Sequence, residues 1–332
     1  MKNILLILTG GTIGSRIDEN GNISLSEDPL LLKVCHNKVR KKAKFTVIEP
    51  LSVLSENMSL KDRETLIREI LKTDISTFQG IIIAHGSDTL TYTASLCAMA
   101  LRHINIPIVF IAADLVLSNP KSNGRDNFIS AVNLICDGAV KQGCYICYKD
   151  NKNRNTVYLA TRLCEAEPIF DSFKSVDGTY FGITKYGRFI YNHHPLNPSL
   201  KAVNAPKERI ANDSITLKPV VSMLHSSPAF DYERYNTKSL SAILNYGYHS
   251  GTVDEEKFLP FAKECDKENI DIWLASFKDK DTPIYESLAQ IVSLLNVHRL
   301  YKISPEAAYS KLVLTYSIDK KLRNDNLFFE NL

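Results

Sequence analysis

Short apolar runs that alternate with segments of helical period constrain this chain more than any other feature of its sequence. Residues 4–8 (Ile-Leu-Leu-Ile-Leu) form a continuous apolar run ending at Thr9-Gly10-Gly11, the pattern of a strand buried on both faces. Residues 45–48 make a second short run. Ser59 with Asp62 resembles a capping box, and Leu60, Leu66, Ile67, Ile70 and Leu71 follow at helical spacing. Residues 80–84 read as another buried strand, broken at His85-Gly86; 90–101 read as a helix, 107–113 as a strand and 127–136 as a helix. Residues 144–148 and 156–160 close the pattern as two more strands. Alternation of this kind predicts an α/β fold with a mostly parallel sheet flanked by helices. The handed crossovers of such a sheet put ligand sites beyond the carboxyl ends of the strands. Residues 9–14, 55–58 and 85–89 all fall at such ends.

A chain of 332 residues exceeds what one core usually fills. Residues 186–219 are rich in turn formers and polar groups, including Asn192-His193-His194-Pro195 and Asn197-Pro198. A linker over 191–218 is therefore expected between a larger N-terminal domain, 1–190, and a smaller C-terminal α/β domain, 219–332. In the second part, 220–224 and 270–276 read as strands, and 258–266 and 285–295 as helices. Residues 240–245 are assigned to a helix, although 242–248 also read as strand-like.

Charge narrows the partners. Forty basic residues stand among 37 acidic ones for a net charge of +3, with no basic stripe, so neither nucleic acid nor an anionic membrane is expected as a partner. The apolar run after Met1 is too short for a secretory signal, no stretch reaches the length of a membrane span, and the seven cysteines are odd in number and scattered. A reducing, cytoplasmic setting is the expectation. Cys144 and Cys147 form a lone C-x-x-C inside an apolar run, better read as a buried strand than as a redox or zinc motif.

The polar chemistry gathers in two motifs. Thr9-Gly10-Gly11-Thr12-Ile13-Gly14 lacks the G-x-G-x-x-G spacing and the Gly-Lys-Ser/Thr of nucleotide-binding loops. What remains is a tight turn presenting the hydroxyls of Thr9 and Thr12. In His85-Gly86-Ser87-Asp88-Thr89, a hydroxyl beside a carboxylate can bind an ammonium, orient water or assist a nucleophile. Equally, Ser87 or Asp88 can cap the helix that starts at Leu90.

Together, in this order and each after an apolar strand, the two motifs resemble the L-asparaginase/glutaminase family, whose members are threonine-nucleophile amidohydrolases. The likeness extends from about residue 3 to residue 180 and includes Ser55-Glu56-Asn57-Met58, which looks like the family's substrate-carboxylate loop. By this resemblance Thr12 is the nucleophile that forms an acyl-enzyme, Ser87 matches the second catalytic threonine, and Asp88 matches the acid that binds the substrate ammonium. Ser55 matches the carboxylate-binding residue, with Gly11, Glu56 and Gly86 in neighbouring substrate-binding positions. His249-Ser250-Gly251-Thr252 looks like the family's second-domain loop, which makes Ser250 a further substrate contact; the alternative is a plain loop. The resemblance implies a small amide substrate such as L-asparagine, no cofactor, no metal, and a homodimer or homotetramer.

Three departures qualify it. Ser87 stands in place of threonine and keeps the hydroxyl. Counting back from Phe173-Lys174-Ser175, the place of the family's proton-relay lysine falls on Cys164; Arg162 and Lys121 are the candidate cations to reach the site instead, and a guanidinium cannot shuttle a proton. The loop over 15–28 carries Arg16, Asp18 and Glu19 but no tyrosine. The alternative functional class is thus an amino-acid binding or regulatory protein with little turnover. The amidase subunit of a tRNA-dependent amidotransferase is disfavoured, because residue 1 lies at the first strand and no basic surface signature is present. His193-His194 is read as linker, since adjacent histidines do not converge on one ion.

Overall fold

The computed structural model describes residues 1–17, 23–25, 35, 38–39, 42–167, 170–281 and 283–332. The chain divides into two compact units, Met1–Ile215 and Thr216–Leu332.

The first unit contains β1 (Lys2–Leu8), β2 (Ser15–Ile17), β3 (Ile23–Leu25), β4 (Ala43–Ile48), α1 (Leu60–Lys72), β5 (Gly80–Ala84), α2 (Leu90–Ala100) and β6 (Pro107–Ile111). It continues with α3 (Gly124–Asp137), β7 (Gly143–Lys149), β8 (Asn155–Leu159), β9 (Leu163–Glu167), β10 (Phe170–Ser175), β11 (Gly182–Lys185), β12 (Arg188–Tyr191) and α4 (Leu200–Val203). Eight strands build one sheet in the order β12-β11-β8-β7-β6-β5-β1-β4. From β4 through β7 every neighbouring pair is parallel, and β8, β11 and β12 extend that sheet antiparallel. Two smaller antiparallel pairs, β2–β3 and β9–β10, stand beside it.

Local chemistry accounts for these elements. Every residue of β5 and β6 is buried, as inner strands covered on both faces must be. The Ser59 hydroxyl accepts from the Asp62 N–H at 3.2 Å, and the Asp62 carboxylate accepts from the Ser59 N–H at 2.8 Å, closing the box that starts α1. Cys144 and Cys147 are buried in β7, three residues apart on a strand and so on opposite faces. The turn-rich stretch before Thr216 bonds back to its own unit. Gln142 donates to the Val203 carbonyl at 3.3 Å, and the Arg68 guanidinium donates to the Ile215 carbonyl at 2.7 Å.

The second unit carries β13 (Val221–His225), β14 (Ala242–Tyr246), α5 (Glu255–Lys267), β15 (Asp271–Phe277), α6 (Glu286–Val292), β16 (Val297–Tyr301) and α7 (Pro305–Ile318). Its four strands pair parallel in sequence order. The helix expected around residues 240–245 is instead β14. Ala-Ile-Leu-Asn-Tyr over 242–246 is too short a stretch for periodicity to choose between the two elements, and pairing with both β13 and β15 makes it an inner strand. The final helix, α7, has no forecast in the periodicity because it is buried on most sides. It starts where the Ser304 hydroxyl accepts from the Ala307 N–H at 3.1 Å with Pro305 in the first turn. Lys311 of α7, 2% exposed, pairs at 3.0 Å with Glu330, 0% exposed, which also accepts from the N–H groups of Leu327 and Phe328. No helix among the described residues is long and apolar enough to cross a membrane.

Candidate active site

The end of β1 is held from both sides. The N–H and hydroxyl of Thr9 both donate to the Ala84 carbonyl at the end of β5, at 3.1 and 3.0 Å. The Thr9 carbonyl accepts from the Val53 N–H at 3.0 Å. Thr9 is therefore buried in the strand clasp and does not present its hydroxyl to the crevice, which corrects the reading of a turn offering two hydroxyls. Gly10 and Gly11 then take φ of +100° and +74°, left-handed values that favour glycine. Sterics demand glycine independently. A Cβ on Gly11 would lie 2.3 Å from the Gly86 Cα, and one on Gly10 would lie 2.4 Å from the Val53 carbonyl oxygen. Two main chains thus touch, and the chain emerges into a single 3₁₀ turn at Thr12–Gly14, with Thr12 half-buried.

The loop after β5 is set against that turn by the same contact. A Cβ on Gly86 would meet the Ser55 hydroxyl oxygen at 2.3 Å, so Gly11, Gly86 and Ser55 are packed in sequence. Ser55 is 2% exposed at the start of a 3₁₀ turn, and its hydroxyl donates to the Asp88 carboxylate at 3.0 Å. The Thr89 hydroxyl donates to the Ser55 carbonyl at 2.8 Å. Thr89, not Ser87 or Asp88, holds the N-cap position of α2, and no side chain makes the cap bond. Asp88 is therefore directed at Ser55, exposed to solvent, with Ser87 half-buried beside it. Thr89 was not singled out in the sequence; a hydroxyl directly after Ser-Asp is the signal that could have found it.

Beneath this surface lies His85, 0% exposed. Its ring stands against the Gly86 carbonyl through Nδ1 at 2.7 Å and Met58 Sδ through Nε2 at 3.2 Å. A carbonyl can only accept, so the ring proton sits on Nδ1. Burial drives its pKa down from 6.5 to about 4, the Gly86 carbonyl opposing the shift and the Arg63 charge adding to it. A neutral imidazole thus braces the backbone of the Gly86-Ser87 turn. Arg63 donates to the Met58 carbonyl at 2.6 Å and to the Thr93 hydroxyl at 3.0 Å, fastening the other edge of the Ser55 loop.

The remaining predicted residues lie in other settings. Glu56 is exposed in the turn after Ser55. Ser250 belongs to the second unit, in a tight turn after β14 where the Gly251 N–H donates to the Tyr248 carbonyl at 2.7 Å. Cys164, on which the count back from Phe173 falls, is half-buried in β9. Arg162 is buried and pairs with Asp177 at 3.3 Å, also donating to the Leu196 carbonyl at 2.6 Å. Lys121 is exposed. Asp18 and Glu19 lie outside the described residues, and for Arg16 only the backbone is described.

Chemically, the assembled loops offer a half-buried hydroxyl on a glycine turn, a second hydroxyl, and a carboxylate steered by a buried serine. This chain is similar to known proteins in the same region. A family model described as the asparaginase N-terminal region matches residues 3–197. A glutamyl-tRNA(Gln) amidotransferase subunit of Thermoplasma volcanium is 25% identical over 100% of this chain and 80% of its own length. Several other relatives of that name are matched over 50% of their length or less. The L-asparaginase of Thermococcus kodakarensis is 27% identical over 75% of this chain and 72% of its own length. The solved structure of the thermostable L-asparaginase from Thermococcus kodakarensis superposes with a TM-score of 0.81, at 21% identity and covering 99% of both chains. At that identity the superposition speaks for the fold.

Proposed function

The chain belongs to the asparaginase family, and from that membership we propose that it is an amidohydrolase splitting the side-chain amide of L-asparagine, or of a related small amide, into acid and ammonia. In this reading the Thr12 hydroxyl oxygen attacks the amide carbonyl. The C–N bond breaks, ammonia leaves with the hydroxyl's proton, and an ester on Thr12 remains. Water then attacks the ester, the acid departs, and the Thr12 oxygen regains a proton. Asp88 takes the substrate ammonium, and Ser55 and nearby N–H groups take its carboxylate. Orientation of this sort can supply several kcal/mol of the barrier. Backbone N–H groups about Thr12 and Ser87 serve the oxyanion.

The observation that carries the reading is the backbone contact of Gly11 with Gly86, together with the Ser55–Asp88 hydrogen bond, because these tie the nucleophile's turn to the acid's loop. Cys164 at the lysine's place means that the proton moves by another group, and Arg162 is too strong a base to serve. Incubation with asparagine, glutamine and small amides should release ammonia. A slow amide should leave an acyl adduct on Thr12 by intact mass, absent in Thr12→Ala. No ammonia from any amide, with aspartate still raising the melting temperature, would point to a binding protein instead.

The similarity to amidotransferase subunits favours a second reading, in which the chain is the amidase part of a glutamyl-tRNA(Gln) amidotransferase. Amide hydrolysis that appears only when glutamyl-tRNA(Gln) and a partner protein are added would support it over the first.

A further inference from the structure

In the second unit, taken by itself, a cavity of about 670 Å³ lies between residues 229–237, which follow β13, and the helix α5. Its volume is that of a small-molecule pocket, and the amide chemistry above makes no use of it. Two features of its lining agree in sign. One wall is aromatic, with Phe230 and Tyr232 at 4.7 Å and Tyr232 and Phe261 at 5.3 Å between ring centroids, and ring faces carry partial negative charge.

The charged groups on the lining are four carboxylates, Asp231, Glu233, Glu256 and Glu264, against one ammonium, Lys257. Lys257 pairs with Asp254 at 3.2 Å, Asp231 with Arg234 at 2.9 Å and Glu264 with Lys267 at 3.1 Å. Glu233 and Glu256 have no ion-pair partner among the described residues. Aromatic rings and carboxylates attract positive charge, and the one ammonium on the lining, Lys257, is engaged by Asp254.

We infer that this cavity binds a small free organic cation, an alkylammonium or alkylguanidinium compound, with its stem against the aromatic wall and its head toward Glu233 and Glu256. Both glutamates are exposed, so water screens them, and binding is moderate in strength with the aromatic wall contributing the selectivity for shape.

Calorimetric titration of the full chain with pentylamine and pentylguanidine tests this, with 1-pentanol and pentanoate as matched neutral and anionic probes. The cations should bind saturably, and the alcohol and acid at least about tenfold more weakly. The double variant Glu233→Gln/Glu256→Gln should lose about tenfold for pentylamine. Both positions are exposed, so an unchanged melting curve serves as the folding control. Thr12→Ala should bind pentylamine as the parent does, separating this cavity from the amide site. Absence of saturable binding, an alcohol as tight as the amine, an unaffected double variant, or loss in Thr12→Ala would each overturn the inference. So would N-acetyl-lysine methylamide binding more tightly than pentylamine, since the occupant would then be a protein side chain.

Discussion

Gly11→Ala isolates the main-chain contact on which the candidate site depends, and Gly138→Ala supplies its control. Both glycines hold left-handed φ, +74° and +77°, but a Cβ on Gly138 meets nothing within 4 Å, while one on Gly11 meets the Gly86 Cα at 2.3 Å. The backbone cost of alanine in this region is about 1–2 kcal/mol, partly offset by about 0.4–1 kcal/mol from a less flexible unfolded chain. Gly138→Ala should thus lose on the order of 1 kcal/mol. Gly11→Ala must in addition push two backbones apart by roughly 1 Å to reach ordinary contact, and overpacking of that kind costs about 1–3 kcal/mol more. For a unit of 215 residues, 1 kcal/mol moves the melting temperature by about 2–4 °C. The expected losses are therefore roughly 3 °C for Gly138→Ala and roughly 5–15 °C for Gly11→Ala. Activity separates the two further: a displacement of about 1 Å between the proposed nucleophile and the proposed substrate-binding loop can cost about a hundredfold in kcat/KM, whereas Gly138→Ala should leave it unchanged. Melting curves and ammonia release measured on both variants decide it. Equal effects in the two, on stability and on rate alike, would refute the idea that contact between the Gly11 and Gly86 backbones aligns the site.

Other consequences follow from single groups. His85 is held at about 4 by burial, against an ordinary 6.5, so the unfolded chain binds the extra proton between those values. Stability is then full above pH 6.5 and falls as pH drops toward 4, by roughly 3 kcal/mol in all; urea midpoints across that range should show the slope, and His85→Gln should flatten it. Lys311→Met leaves Glu330 buried without its ammonium and should cost about 3–5 kcal/mol in denaturant unfolding, while an effect below about 1 kcal/mol would mean that the N–H groups of Leu327 and Phe328 suffice. Ser55→Ala removes the hydroxyl that orients Asp88; KM for asparagine should rise about tenfold with little change in melting, and an unaltered KM would detach Ser55 from substrate binding.

Much of this architecture was legible in the order of the residues. A continuous apolar run of five, such as 80–84, can sit only in a covered strand or a buried helix segment, and His85-Gly86 after it marks the strand end. The pairing of Thr-Gly-Gly-Thr with His-Gly-Ser-Asp points to a candidate site at two strand ends from the sequence alone. Where the reading failed, local pattern was ambiguous or silent. Residues 242–246 suit a helix as well as a strand until two neighbours claim their N–H and carbonyl groups. The α7 helix is buried nearly all round and so lacks the one-sided periodicity by which helices announce themselves. Hydroxyl roles were the least legible, because a hydroxyl bonds whatever acceptor the fold brings near. Thr9 found Ala84, 75 residues away, and Ser55 found Asp88, 33 residues away.

Hydrophobic period and the glycine turns by themselves determined that this is an α/β chain with its polar loops at strand ends, since burial and φ are properties of single residues and short windows. Only the tertiary structure decided that Thr9 turns inward, that Thr89 takes the cap position from Asp88, and that Asp88 is turned to Ser55. Those outcomes depend on which distant donor or acceptor lies within hydrogen-bond reach, and that distance exists only once the sheet has brought its strand ends together.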